Sequence, residues 1–245
     1  MVSVNDLKIK LFMDGAEIRS MVEAVETNPL IKGFTTNPTL MRKAGITDYA
    51  AFAREAIAAV GGLSISFEVF SDTFEEMERE ARIIHSWGGN TYVKIPVTNT
   101  KGESAAPLIA KLSQEGIALN VTAIMTPEQV AVVAEALDPK TPAIVSVFAG
   151  RVADTGLDPM PLMRRCRELL AGLPKAELLW ASPRELLNVF QADEVGCQII
   201  TATKDVLAKL SVVGKDLNQY SLETVQMFYN DATAAGFKLS ESDRA

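Results

Sequence analysis

The chain is 245 residues long, 48% hydrophobic and 22% charged, with a net charge of -7; that is enough to bury one large core, and too acidic for a basic stripe that would neutralise nucleic-acid phosphates. Its two cysteines, Cys166 and Cys197, show no metal-ligand spacing and suit a reducing compartment, and no apolar run reaches membrane-spanning length. Residues 1–6 lack a basic region followed by an apolar one, so a soluble, cytoplasmic protein with neither a nucleic-acid nor a membrane partner is expected.

Short β-rich runs alternate with longer stretches that carry apolar residues at helical spacing. In chain order, strands are expected over 9–14, 33–37, 65–70, 91–97, 118–124, 143–149, 177–182 and 199–203. Helices are expected over 48–60, 73–85, 105–115, 127–136, 158–170, 183–191 and 204–209. Asp72-Thr73 and Thr126-Pro127-Glu128-Gln129 read as helix starts, each with a capping side chain and the second with proline at the first helical position.

Eight such units favour an α/β fold, a closed parallel (β/α)8 TIM barrel with an additional C-terminal helix. An open doubly wound sheet is the alternative, and the Gly-x-Gly-x-x-Gly turn that usually marks one does not follow the first strand. Proline and glycine are scattered among the loops rather than gathered in a linker. Residues 1–245 therefore read as a single barrel domain, with 215–245 as a C-terminal helical extension. Tyr220, Leu222, Val225, Met227, Phe228 and Tyr229 in that extension suit either covering the barrel or packing on a second subunit.

In such a barrel the working residues sit at the C-terminal ends of the strands. Polar groups interrupt the apolar runs there: Asp14 in the first strand, Thr35, Thr36 and Asn37 in the second, and Glu68 in the third. Lys94 follows in the fourth, Asn120 and Thr122 in the fifth, and Ser146 in the sixth. Any one of them alone reads more simply as a satisfied core group or a strand-end cap. Six consecutive strands doing so is hard to explain as core packing.

A charged lysine in the run Tyr92-Val93-Lys94-Ile95-Pro96 is costly unless it is paired. A buried lysine amine is also what attacks a ketone, through a carbinolamine, to give an iminium that drains electrons from a neighbouring carbon–carbon bond. Glu68 and Asp14 are the carboxylates available to move protons, with Thr122 holding a water between them. Asn37, Asn120 and Ser146 would orient substrate hydroxyls. Arg151 and Arg184, with Ser182, follow the sixth and seventh strands and would form a site for a doubly charged anion, best matched by a sugar phosphate. Taken singly, either arginine reads as a surface ion-pair partner.

These motifs resemble the transaldolase family over roughly residues 10–210. Thr35-Thr36-Asn37-Pro38-Thr39-Leu40 is similar to the family's Thr-Thr-Asn-Pro signature, and Val93-Lys94-Ile95-Pro96 to its Schiff-base lysine strand. Asp14, Glu68-Val69, Asn120-Val121-Thr122, Ser146-Val147-Phe148-Ala149-Gly150-Arg151 and Ala181-Ser182-Pro183-Arg184 match its further pattern. The resemblance implies a (β/α)8 barrel with no metal and no organic cofactor. It also implies transfer of a dihydroxyacetone unit from a ketose phosphate such as fructose 6-phosphate to an aldose phosphate such as erythrose 4-phosphate.

The related fructose 6-phosphate aldolases carry Gln and Tyr where this chain has Glu68 and Phe148, so transfer is expected to prevail over cleavage. Phe148 thereby joins Thr36, Asn37, Asn120, Ser146, Arg151, Ser182 and Arg184 as a substrate-binding position. Short members of the family often form pentamers or decamers, which implies a homo-oligomer. Gly15, Val147 and Pro183 depart from the family pattern, and the last two leave a sulfonate or an unusual phosphorylated sugar as alternative ligands for the anion site.

The only histidine, His85, ends a helix and reads as structural. Trp87 and Trp180 read as core, as do the methionines at 21, 41, 77, 125, 160, 163 and 227. A non-catalytic sugar-phosphate-binding barrel is the remaining alternative, but it would have no need of the lysine and both carboxylates.

Overall fold

The computed structural model describes residues 3–240. Eight parallel strands close on themselves in chain order: β1 (Lys10–Asp14), β2 (Ile31–Thr35), β3 (Ser64–Glu68), β4 (Thr91–Pro96), β5 (Leu119–Ile124), β6 (Ala143–Val147), β7 (Ala176–Trp180) and β8 (Ile199–Ala202). β1 pairs with both β2 and β8, which leaves no sheet edge and excludes the open doubly wound arrangement. Each strand follows the run expected from its residues, with no end shifted by more than two positions.

The near-continuous apolar character of these strands is what a parallel sheet covered on both faces demands. All five residues of β6 are buried. Inside the barrel Phe12, Ile144, Leu179, Ala181 and Ile199 form one packed cluster. Gly33 makes room for it, since a Cβ there would come within 2.5 Å of the Phe12 ring. Outside, helices cover the strands through narrow apolar stripes: Met77, Ala81 and Ile84 are the buried face of the helix Phe74–Ser86. Thr73 caps that helix by accepting from Glu76 N, while Asp72 instead accepts from Thr100. Thr126 and Gln129 close a full capping box at Pro127–Ala136.

Three helices escaped the periodicity reading: Ile18–Thr27, Pro38–Lys43 and Ala149–Asp154. The last two are single short turns leading out of strand ends, too brief to show a helical repeat. Residues 183–186 are not helical as expected. The Asn188 side chain accepts from Arg184 N and Glu185 N and holds a turn there, and the helix begins at Leu187. Trp180 is fully buried, whereas Met125 and Met227 are 36% and 48% exposed and do not fill the core as expected.

Two units make up the chain, 7–209 with the whole barrel, and 1–6 together with 210–245. Of the second, 1–2 and 241–245 lie outside the described residues, the latter being part of the expected C-terminal extension. Its main element is the helix Leu217–Ala234, capped by Asp216 accepting from Gln219 N at 2.9 Å and steadied by Lys215, which pairs with Glu223 and lies 4.6 Å from the Tyr220 ring centre. No residue of this helix is buried, and Tyr220, Leu222, Val225, Met227, Phe228 and Tyr229 are all exposed. Among the described residues no helix is long and apolar enough to cross a membrane.

Candidate active site

The parallel register sets the site. In adjacent strands Asp14 pairs with Thr35 and Glu68 with Lys94, all four in the C-terminal half of their strands, and Lys94 pairs on its other side with Asn120. There a cavity of about 370 Å³ opens, and Asp14, Asn37, Glu68, Lys94, Thr122 and Ser146 are among its lining. This is the end of the barrel where loops and strand termini converge.

Lys94 is 6% exposed and its Nζ has two partners: Glu68 Oε2 at 3.0 Å and the carbonyl oxygen of Thr36 at 3.1 Å. The ammonium is thus paired, as burial requires. The Glu68 backbone is held in turn by the Tyr49 hydroxyl, which donates to its carbonyl at 2.9 Å. Tyr49 packs edge-on against Phe67 and Trp87, and burial pushes its phenol well above the ordinary range, so it remains a donor.

Asp14 ends β1, accepting from Thr35 Oγ1 at 2.7 Å and from Asn37 Nδ2 at 3.3 Å. Burial holds its carboxyl above the usual 3.8; Lys94 and the Thr35 hydroxyl pull the other way, and Glu68 adds to the rise. Asn37 also shapes the backbone, since its Oδ1 accepts from Leu40 N at 2.9 Å and caps the helix that starts at Pro38. The Thr-Thr-Asn-Pro run thereby locks the amide that faces Asp14.

A second network runs behind the lysine. The Ser146 hydroxyl donates to Asn120 Oδ1 at 2.7 Å, and Asn120 Nδ2 donates to Ser66 Oγ at 2.9 Å. Ser146 lines the cavity, whereas Asn120 is fully buried and absent from its lining. The Asn120 amide, expected at a substrate hydroxyl, is here engaged with Ser146 and Ser66 and set back from the cavity wall. Thr122 lines the cavity with a buried hydroxyl that has no hydrogen-bond partner among the described residues. Such a group calls for a partner from the cavity side.

Two residues apart from glycine have positive φ among those described, Ala123 at 62° and Ser182 at 58°, and both line this cavity. Left-handed backbone at non-glycine residues is held only where the surroundings enforce it, and it gathers at functional sites. Ser182 presses its carbonyl oxygen onto Gly150, where a Cβ would lie 1.6 Å away. Glycine is required there.

The expected anion site is brought together only in part. Arg151 and Ser182 line the cavity, with the Arg151 guanidinium 5.0 Å from the centre of the Phe148 ring. Arg184 is absent from the lining and is bound by Asp154, its Nε 2.9 Å from Oδ1 and its Nη2 on Oδ2. Thr36 is also turned away: its hydroxyl donates to the Ser66 carbonyl at 2.8 Å, and it meets the lysine only through its backbone.

Conversely, Ala123 and Thr201 line the cavity without having been singled out, and Thr35, noted only as a polar interruption in the second strand, lines it as well. Thr201 carries the same signal as the others, a hydroxyl within the apolar run Ile199-Ile200-Thr201-Ala202. Ala123 carries none, because its role lies in its backbone.

Comparison with known proteins shows the family. Residues 11–242 match the family described as Transaldolase/Fructose-6-phosphate aldolase. A protein of Thermoplasma volcanium described as a "Probable transaldolase" is 35% identical over 205 residues, which span 82% of this chain and 87% of that protein. One of Listeria monocytogenes, described as "Probable transaldolase 2", is 34% identical over 204 residues, spanning 82% and 88%. Among solved structures, a protein from Coccidioides immitis described as a "putative dihydrodipicolinate synthase family protein" superposes with a TM-score of 0.59 over 96% of this chain and 80% of its own, at 13% identity. At that identity the likeness concerns the barrel fold alone.

Proposed function

The chain belongs to the transaldolase/fructose-6-phosphate aldolase family and is an enzyme of transaldolase type, and from that premise we propose that it transfers a dihydroxyacetone unit from a ketose phosphate to an aldose phosphate through a Schiff base on Lys94. The observation that carries this reading is the buried Lys94 amine held 3.0 Å from Glu68, a carboxylate placed to take its proton and free the nucleophile.

In the proposed sequence the Lys94 amine adds to the ketose carbonyl, and the carbinolamine loses its hydroxyl as water, protonated through Glu68 and a water held by the Thr122 hydroxyl. The resulting iminium accepts the electron pair of the adjacent carbon–carbon bond. As that bond breaks, the hydroxyl on the departing carbon must lose its proton and become the aldehyde. Glu68 is engaged with Lys94, so Asp14 is the carboxylate left to take it, and burial in favour of its protonated form suits that role. The enamine stays on Lys94 until an acceptor aldehyde enters and the steps run in reverse. Asn37 and Ser146 hold substrate hydroxyls, and Arg151 with Ser182 receives the anionic end.

Phe148 supports transfer over cleavage. A phenyl ring at the cavity wall offers no proton to the enamine, so the covalent intermediate outlasts departure of the first product. The test is release of glyceraldehyde 3-phosphate from fructose 6-phosphate, with and without erythrose 4-phosphate. Turnover that depends on the acceptor is expected; equal turnover without it would mean an aldolase.

A further inference from the structure

The hydroxyl oxygens of Thr35 and Thr201 stand 2.6 Å apart, and Thr35 Oγ1 is 2.7 Å from Asp14 Oδ1. Asp14 must be ionised to accept the substrate proton and in that form has no hydrogen to give, so the single hydroxyl hydrogen of Thr35 is directed at Asp14. The contact between the threonines then has one polarity, with Thr201 donating to Thr35. Thr201 is 6% exposed, between the buried side chains of Ile200 and Ala202 in β8. Its methyl group would satisfy packing as a valine would, so the hydroxyl is present for the hydrogen bond.

We propose that Thr201 is a positioning residue: by donating to Thr35 it fixes the Thr35 hydrogen on Oδ1 of Asp14 and leaves Oδ2, beside Asn37 Nδ2 at 3.3 Å, as the oxygen that receives the substrate proton. This deepens the reading of Asp14 as proton acceptor and rests on it. The chain of two hydroxyls polarises each link, so the bond to Asp14 is stronger than a lone threonine would make. It also opposes the burial that drives Asp14 towards its neutral form. The other ionisable groups facing Asp14 are Lys94 from β4 and Glu68 from β3, which pair with each other.

The experiment is a carboxyl-carbon NMR titration of the full-length protein labelled at aspartate, with the Asp14 signal assigned by its loss in Asp14→Asn. In Thr201→Val the Asp14 midpoint is expected to rise by about 0.3 pH unit, while Thr201→Ser keeps the wild-type midpoint. An Asp14 midpoint unmoved in Thr201→Val overturns the proposal. Thr201→Ala measured against Thr201→Ser gives the same comparison if the valine variant does not fold. The acidic limb of kcat, recorded on the same variants, separates the two claims. A limb that follows the midpoint supports both, whereas a midpoint that moves without the limb keeps Thr201 as the positioner of Asp14 and overturns Asp14 as the proton acceptor.

Discussion

Glu68 Oε2 and Lys94 Nζ face each other at 3.0 Å from paired positions on adjacent strands, with the lysine 8% and the glutamate 18% exposed in their side chains. The pair is local to the sheet: no loop has to close for it to form. Each member is the other's compensation for burial, so removing one leaves a partly buried charge unpaired.

Two substitutions separate their roles. Lys94→Met should abolish the adduct that borohydride traps with fructose 6-phosphate, read as a mass increase on the intact protein. Glu68→Gln should still give a trappable adduct but lower kcat by about 10²–10⁴, the usual contribution of a positioned acid–base group. An active Lys94→Met enzyme would sink the Schiff-base mechanism.

Phe148→Tyr places a phenol at the cavity wall, beneath the Arg151 guanidinium that now lies 5.0 Å from the ring centre. A hydroxyl there can protonate the enamine. Dihydroxyacetone release without an acceptor should rise at least about tenfold, measured by a coupled assay. No rise would remove Phe148 as the reason that transfer prevails.

Asp14→Asn should lower kcat by about 10²–10⁴ and raise thermal stability at neutral pH. The folded-state pKa of Asp14 lies above 3.8, so at pH values between the two the folded protein binds more protons at this site than the unfolded chain does. Stability from this group is therefore complete below 3.8 and is lost as pH rises through the folded value. Asparagine carries no such loss. The Tm difference between variant and wild type should be positive at pH 7 and shrink as pH falls towards 3.8; a difference independent of pH would contradict the burial argument.

Gly150→Ala puts a methyl 1.6 Å from the Ser182 carbonyl oxygen. Backbone cannot yield as a side-chain end can, and Ser182 already holds a φ of 58°. A loss of about 3 kcal/mol in stability is expected, seen as a lower urea midpoint. KM for the anionic substrate should rise with it, since Ser182 and Arg151 flank the same contact. Unchanged values of both would show that the turn after β7 is freer than its geometry implies.

How far the site could be read in advance follows from how local each signal is. Asp14, Glu68, Lys94, Thr122 and Ser146 are polar interruptions in apolar strands, and each shows itself within a single short strand. Arg184 and Thr36 carry equally plain signals but lie off the cavity, because Asp154 takes the guanidinium and Ser66 takes the hydroxyl. A side chain's type states what it can bond, whereas its choice among partners depends on neighbours 30 residues away along the chain in both cases. The short helices Pro38–Lys43 and Ala149–Asp154 went unread for a related reason: six residues are too few to display a period.

What the chain alone determined is the alternation of eight strands with helices, the end of the barrel where polar groups collect, and a lysine that needs a carboxylate beside it. These rest on period, composition and the cost of burying charge, all of which act over short spans. Only the tertiary structure decided which strand closes the ring, which arginine lines the cavity, and which hydroxyl stands behind Asp14. Thr35 and Thr201 are 166 residues apart and meet because β8 pairs with β1, and the register of that closure is a property of the whole barrel.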